Sequence, residues 1–219
     1  MTCKKRIYWI LMLLPLAAAI AALFFLPEQI PAHYGMDGQV DRWGSKYEVL
    51  LFPVVTIGFG LFMLAMTKVA KKQEAQGQNN EAICLLTGMV GLGVFDVMTL
   101  YFLYCDFRQV TDLNTPSLDL NQLLFGLMGV GMILIGNVMP KVKPNSVLGL
   151  RTSWSMKNDT TWKKSQRFGG ISLILAGVLT LLCCLLTKGW ACFALSMGIL
   201  LVVMIVDVVY TYHAAKKWG

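Results

Sequence analysis

Acids and histidines are scarce in this chain, with twelve Asp and Glu against nineteen Lys and Arg, and two histidines among 219 residues. Charged residues make up 14% of the total, where a soluble domain carries roughly 25%. That shortage excludes a conventional water-soluble fold. It also excludes a soluble basic domain that would bind nucleic acid directly, despite the net charge of +7. The six cysteines (Cys3, Cys84, Cys105, Cys183, Cys184 and Cys192) are dispersed and show no metal-ligand spacing. They read as small apolar packing residues; a Cys105–Cys192 disulfide is possible, but nothing in the sequence supports it. Gly-x-Ser-x-Gly, His-Glu-x-x-His and a phosphate-cradling glycine loop are all missing. No enzyme, cofactor or metal centre is expected.

What the chain does hold is apolar sequence, 56% of its residues, gathered in blocks of membrane-spanning length. A hydrocarbon core about 30 Å thick needs roughly 20 apolar residues of helix. Six blocks qualify, at about 8–26, 49–67, 82–104, 120–139, 170–187 and 190–212. The expected fold is an all-α, polytopic integral membrane protein of six transmembrane helices, with one membrane domain over 1–219. Lys4, Lys5 and Arg6 before the first block suggest a signal sequence, but the block's length and the five that follow predict a retained anchor. Only Lys188-Gly189 separates the last two blocks, which predicts a tight antiparallel pair.

The basic residues alternate between connecting segments. Fifteen of the nineteen fall in the N-terminal segment, the 68–81 loop, the 140–169 loop and the C-terminal end; Arg42, Lys46, Arg108 and Lys188 are the exceptions. Cytoplasmic loops retain positive charge, so both termini are expected inside, facing an anionic inner leaflet.

Two loops are more than connectors. The outer loop 27–48 is dense in Pro, Gly and Asp, which predicts several tight turns and a compact structure. His33, Asp37 and Asp41 invite a metal assignment, but hydrogen bonds that order the loop suit their spacing better. The second outer loop, 105–119, is acidic, with a turn at Asn114-Thr115-Pro116, and the 71–81 loop reads as a featureless connector. In the basic loop 140–169, Pro140 ends the fourth span and Pro144 extends the backbone before it. Asn158 or Asp159 would cap a helix with Lys163, Lys164 and Arg167 on one face, and Trp162, Ser165, Gln166 and Gly169 on another. Such a helix should lie at the interface and bend at Gly169-Gly170 into the fifth span. Trp154 and Trp162 read as interfacial anchors.

Inside the spans the only acids are Asp96 and Asp207. An ionisable group in hydrocarbon costs several kcal/mol, so each is a functional candidate. Asp207 lies near enough to the inner end for an ion pair with Lys216 or Lys217; Asp96 is deeper, suited to a hydrogen bond or a proton or ion role. Phe95-Asp96-Val97-Met98 echoes Val206-Asp207-Val208-Val209, as in inverted-repeat transporters, but so short an echo arises easily by chance. The glycines of the fourth span, Gly126, Gly129, Gly131 and Gly136, mark close helix packing.

The motifs themselves resemble a family. Gly136-Asn137 through Pro144-Asn145, then Gly149-Leu150-Arg151-Thr152-x-Trp154, then Trp162 to Gly169-Gly170, resemble the sporulation-delaying-protein immunity (SdpI) family. Ile30-Pro31-Ala32-His33-Tyr34-Gly35 with Asp41-Arg42-Trp43-Gly44-Ser45-Lys46 resembles the N-terminal module that accompanies it. Many members carry Pro where this chain has Ser153, and His where it has Gln166. The resemblance implies a bacterial plasma-membrane immunity protein that resists a secreted, membrane-active peptide toxin. It also implies a receptor role that holds a small cytoplasmic repressor at the membrane. On that reading His33, Asp37, Asp41, Arg42, Trp43 and Lys46 face the toxin. Asn137, Asn145, Arg151, Thr152, Trp154, Trp162, Lys163, Lys164 and Arg167 face the cytoplasmic partner. The rival readings are a small proton- or ion-coupled transporter using Asp96 and Asp207, and a membrane-embedded enzyme.

Overall fold

The computed structural model describes residues 3–35, 37–73, 79–113 and 119–219. Six helices in it are long and apolar enough to cross a membrane. They are α1 (Cys3–Ala22), α2 (Leu51–Lys72, entered through a 3-10 turn at Lys46–Leu50), α3 (Asn79–Arg108), α4 (Leu120–Val138, running into a 3-10 turn at Met139–Lys141), α5 (Asp159–Leu186) and α6 (Gly189–Trp218). All six expected spans are present, and several helices run beyond the apolar block that announced them.

Two strands supplement the helices. Strands β1 (Gln29–Tyr34) and β2 (Val40–Ser45) form an antiparallel ribbon within the first loop. Its turn is made by Gly38 at φ 83°, a conformation glycine adopts without steric cost. The register is irregular between Pro31 and Tyr34, which lets a proline sit in a strand despite its missing donor. The turn-rich composition anticipated a compact loop, and hydrogen-bonded pairing is what makes it so.

The chain divides into two compact units, Met1–Phe62 with Gly88–Leu120, and Met63–Thr87 with Asn121–Gly219. In the first, α1 lies close on α2. Gly60 leaves room for Met12, whose sulfur lies 2.5 Å from where a β-carbon would stand, and the buried Tyr8 hydroxyl donates to the Gly60 carbonyl at 2.8 Å. Phe52, Phe59, Phe95 and Phe102 join α2 to α3, with ring centroids 5.3–5.7 Å apart, the spacing of favourable edge and tilted pairs. Ile30 roots the ribbon in a core of Ala19, Ala22, Leu26, Val49 and Leu103.

In the second unit, glycines set the distance between α4 and α5. A β-carbon on Gly136 would stand 2.7 Å from the Gly170 carbonyl oxygen, and one on Gly177 would stand 2.5 Å from that of Gly129. Small residues permit such backbone contact in a bilayer, where van der Waals packing replaces the hydrophobic drive. Helix α5 runs unbroken for 28 residues, so no break at Gly169-Gly170 separates the helix of the basic loop from the fifth span. Those two glycines are buried against Met139 and Pro140; they serve helix contact rather than a hinge. Asn158 caps α5 in a reciprocal capping box with Thr161, which fixes its start. Gly189, at φ 54°, opens α6 after two intervening residues, Thr187 and Lys188, and the Phe168 and Tyr210 rings stack at 3.8 Å.

Candidate functional site

The ribbon end of the first unit is held by paired polar side chains. His33 Nδ1 meets Asp41 Oδ1 at 2.6 Å. Both Arg42 guanidinium nitrogens donate to Glu48, at 3.1 and 2.8 Å, and Lys46 Nζ reaches Glu28 at 2.8 Å. Asp37 accepts from the Gln39 amide at 3.0 Å, the self-capping of an Asx turn. Hydrogen bonds thus tie down His33, Asp37 and Asp41. Among the described residues no group of three His, Cys, Asp or Glu could hold a metal ion. Trp43 is left 43% exposed.

The sequence did not show that the ribbon is clamped by the segment after α3. The Val40 amide donates to the Thr111 carbonyl at 3.0 Å, and the Leu113 amide to that of Gly38 at 2.9 Å. Tyr34 donates its hydroxyl to the Val110 carbonyl at 2.9 Å. Burial pushes the Tyr34 phenol well above its ordinary range, with Cys105 and Asp106 adding to the effect, so it remains a donor. The turn expected at Asn114-Thr115-Pro116 lies outside the described residues.

The basic end of the second unit is wired from within. Asn145 Oδ1 accepts from the Val147 and Leu148 amides at 2.7 and 2.6 Å, while its Nδ2 donates to the Lys143 carbonyl at 2.7 Å. Trp162 is 2% exposed, and its indole donates to the Val142 carbonyl at 2.8 Å. Gln166 grips Leu150 as a peptide would, accepting its amide proton at 2.8 Å and donating to its carbonyl at 3.0 Å. Ser155 Oγ accepts from the Thr152 amide at 2.9 Å and donates to the Leu150 carbonyl at 2.8 Å. Thr152 in turn donates to Thr211 of α6 at 2.9 Å.

Two expectations change here. Trp162 is a buried strut rather than an interfacial anchor, and neither it nor Asn145 belongs to an exposed partner face. The 71–81 connector is not featureless either. Asn80, fully buried, accepts the Lys143 amide at 2.9 Å, and Gln73 accepts the Ser146 amide at 2.6 Å. Residues 74–78 lie outside the described residues.

The face of α5 that carries Lys163, Lys164 and Arg167 is exposed, while Trp162, Ser165, Gln166 and Gly169 are buried, so the division of faces read from helical spacing holds. Asn137, Lys141, Lys143, Arg151, Lys157, Lys216 and Lys217 are exposed too. Lys164 and Lys217 both approach the Trp218 ring, at 5.3 and 4.9 Å from its centroid. Trp154, 38% exposed, meets Tyr212 edge-on at 5.4 Å. The result is a rigid platform with a cationic, aromatic surface.

The intramembrane acids differ. Asp207 accepts a 2.6 Å hydrogen bond from Ser172 of α5; this replaces the expected pair with Lys216 or Lys217. Asp96 is 7% exposed, and both of its oxygens are buried without a hydrogen-bond partner among the described residues. Cys105 and Cys192 are both free thiols, and the sulfur of Cys192 lies 3.6 Å from that of Cys184.

Comparison with known proteins bears out the resemblance read from the two loops. Residues 141–211 match the SdpI/YfhL protein family, and residues 10–57 match a domain of unknown function, DUF1648. The chain is 25% identical to the immunity protein SdpI of Bacillus subtilis over 98% of its own length and 97% of that protein's. It is also 41% identical to an uncharacterized protein of Archaeoglobus fulgidus, over 20% of this chain and 24% of the other. No solved structure matches. The six spans and this likeness make the chain a multi-pass protein of a bacterial cell membrane.

Proposed function

We propose, taking as premise the likeness to an immunity protein along nearly the whole chain, that this protein protects its cell from a secreted, membrane-active peptide toxin. That end-to-end likeness is the observation that carries the proposal. In this reading the ribbon faces outward and meets the toxin, with Trp43, Arg42 and the His33–Asp41 pair as its exposed surface. The basic platform and both termini face the cytoplasm, as the distribution of Lys and Arg favours. The platform presents Arg151, Trp154, Lys163, Lys164 and Arg167 to a small cytoplasmic repressor, so that toxin resistance and signalling share one molecule. The work is binding rather than catalysis.

Orientation is tested by thiol labelling. Cys3 is the exposed native cysteine, so it is first replaced by serine. A cysteine at position 37 should react in intact cells, and one at position 157 only after permeabilisation. The opposite pattern refutes the topology.

Function is tested by expressing the protein in a sensitive host and challenging the cells with membrane-active peptides. Protection is expected, and correctly inserted protein that protects against none of them refutes the immunity reading. Asp96→Asn and Asp207→Asn should keep protection, whereas a proton- or ion-coupled carrier would lose its activity with either. Arg151 is exposed, and its planar fork can grip a carboxylate in a geometry lysine cannot reproduce. Arg151→Lys should therefore lose repressor recruitment by about tenfold while inserting normally. Wild-type recruitment by that variant reduces the loop to a topology signal.

A further inference from the structure

The ribbon does not lie flat on its unit; a cleft of about 230 Å³ opens beneath it. Ile30, Pro31, Phe52 and Phe102 supply apolar walls, and Arg42, Glu48 and Asp106 the charges. Small-molecule sites measure roughly 300–1,000 Å³, so this cleft suits one or two side chains.

Its charge is unbalanced. Arg42, the cation lining it, has both fork nitrogens bound to Glu48. Asp106, 5% exposed, has no ion-pair partner among the described residues. On α3, Thr99, Phe102 and Asp106 are spaced three and four residues apart and line one face of the helix. An apolar slot thus ends at a carboxylate with no cation of its own.

We propose that this cleft is a binding site for a basic side chain of an amphipathic peptide. The alkyl stem would lie against Phe52, Phe102 and Ile30, and the ammonium or guanidinium would reach Asp106. A stem of four carbons with a terminal cation is the shape such a slot selects. Charge complementarity commits the site to a cationic peptide, and the site rests on the immunity reading only for that peptide's origin.

The test uses the full-length protein in phosphatidylcholine nanodiscs and two probes, an alternating leucine–lysine peptide and the same peptide with every lysine acetylated. Binding to empty discs is subtracted. The wild type should hold the lysine peptide at least about tenfold more tightly, the scale of a hydrogen bond to a charged group. Asp106→Asn should bind both peptides alike, and Asp106→Glu should restore the preference. Equal binding of the two peptides by the wild type overturns the proposal, and needs no variant to fold. So does an unchanged preference in Asp106→Asn. Loss of peptide binding when phosphatidylethanolamine is added would assign the cleft to a lipid headgroup and likewise overturn it. The parallel challenge of cells separates the two readings. Discrimination in discs without protection in cells sinks the immunity function and leaves the site standing; protection without discrimination sinks the site alone.

Discussion

Gly136→Val should leave the protein unable to accumulate in the membrane at normal levels, and what inserts should unfold at lower temperature. The new β-carbon would stand 2.7 Å from the Gly170 carbonyl oxygen and 2.9 Å from Ile174. The nearest obstacle is backbone, so no rotamer change relieves it, and α4 must move off α5. Overpacking costs about 1–3 kcal/mol when side chains can shift, and more when they cannot. The seam repeats seven residues back along α4 and seven forward along α5, where Gly129 meets Gly177, so separation at one pair strains the other. Gly126→Ala is the control. A β-carbon there meets nothing within 4 Å, and alanine is the better helix former by about 1 kcal/mol. Thermal unfolding in detergent should show a loss for Gly136→Val and no loss for Gly126→Ala. Equal behaviour would mean that the seam is unimportant.

Trp162→Ala should cost about 3–5 kcal/mol, the usual range for emptying a buried aromatic site, with a further ~1–3 kcal/mol for the Val142 carbonyl left without its donor. The two parts separate experimentally. Trp162→Phe keeps most of the volume and loses the indole hydrogen bond, so it should fall between alanine and wild type. Because this tryptophan ties the basic loop to α5, the alanine variant should also expose the segment from Lys141 to Arg151 to protease. A fully stable Trp162→Ala would contradict the buried placement. A loss of partner binding with stability intact would return Trp162 to the exposed partner face.

Much of the fold was legible in the sequence because membrane insertion is a one-dimensional problem. Apolar length decides each span, and charge decides the preference of each loop, with no reference to a neighbour. Helical spacing likewise separated the Lys163, Lys164 and Arg167 face of α5 from the Trp162 and Gln166 face. It could not say which face was buried in protein and which was wet. Trp beside Lys suggests an interfacial helix, and here the tryptophan turns inward because Val142 offers its carbonyl. The pairing of β1 with β2 was hidden for a similar reason. Turn residues announce a compact loop, but irregular register and a proline in β1 erase the period-two pattern by which a strand is usually read.

The site was legible by composition and illegible by contact. Arg42 and Lys46 stood out as loop cations, yet their partners Glu48 and Glu28 did not, since one pairing depends on how the turn after β2 folds back and the other on the register of the ribbon. Asn80 and Gln73 looked like parts of a polar connector, although they hold the backbone of the basic loop more than sixty residues away. Asp106 sat in an acidic stretch and gave no sign that it would line a cleft with Phe52 and Phe102. The sequence by itself determined six spans, the distribution of positive charge and a helix cap at Asn158 or Asp159, because each depends on residues near one another in the chain. Only the tertiary structure decided that Trp162 is a strut, that α5 continues unbroken through Gly169-Gly170, and that Asp106 lines a cleft with no ion-pair partner among the described residues. Those outcomes depend on which distant backbone carbonyl, glycine or charge arrives beside the residue, and local pattern does not encode that.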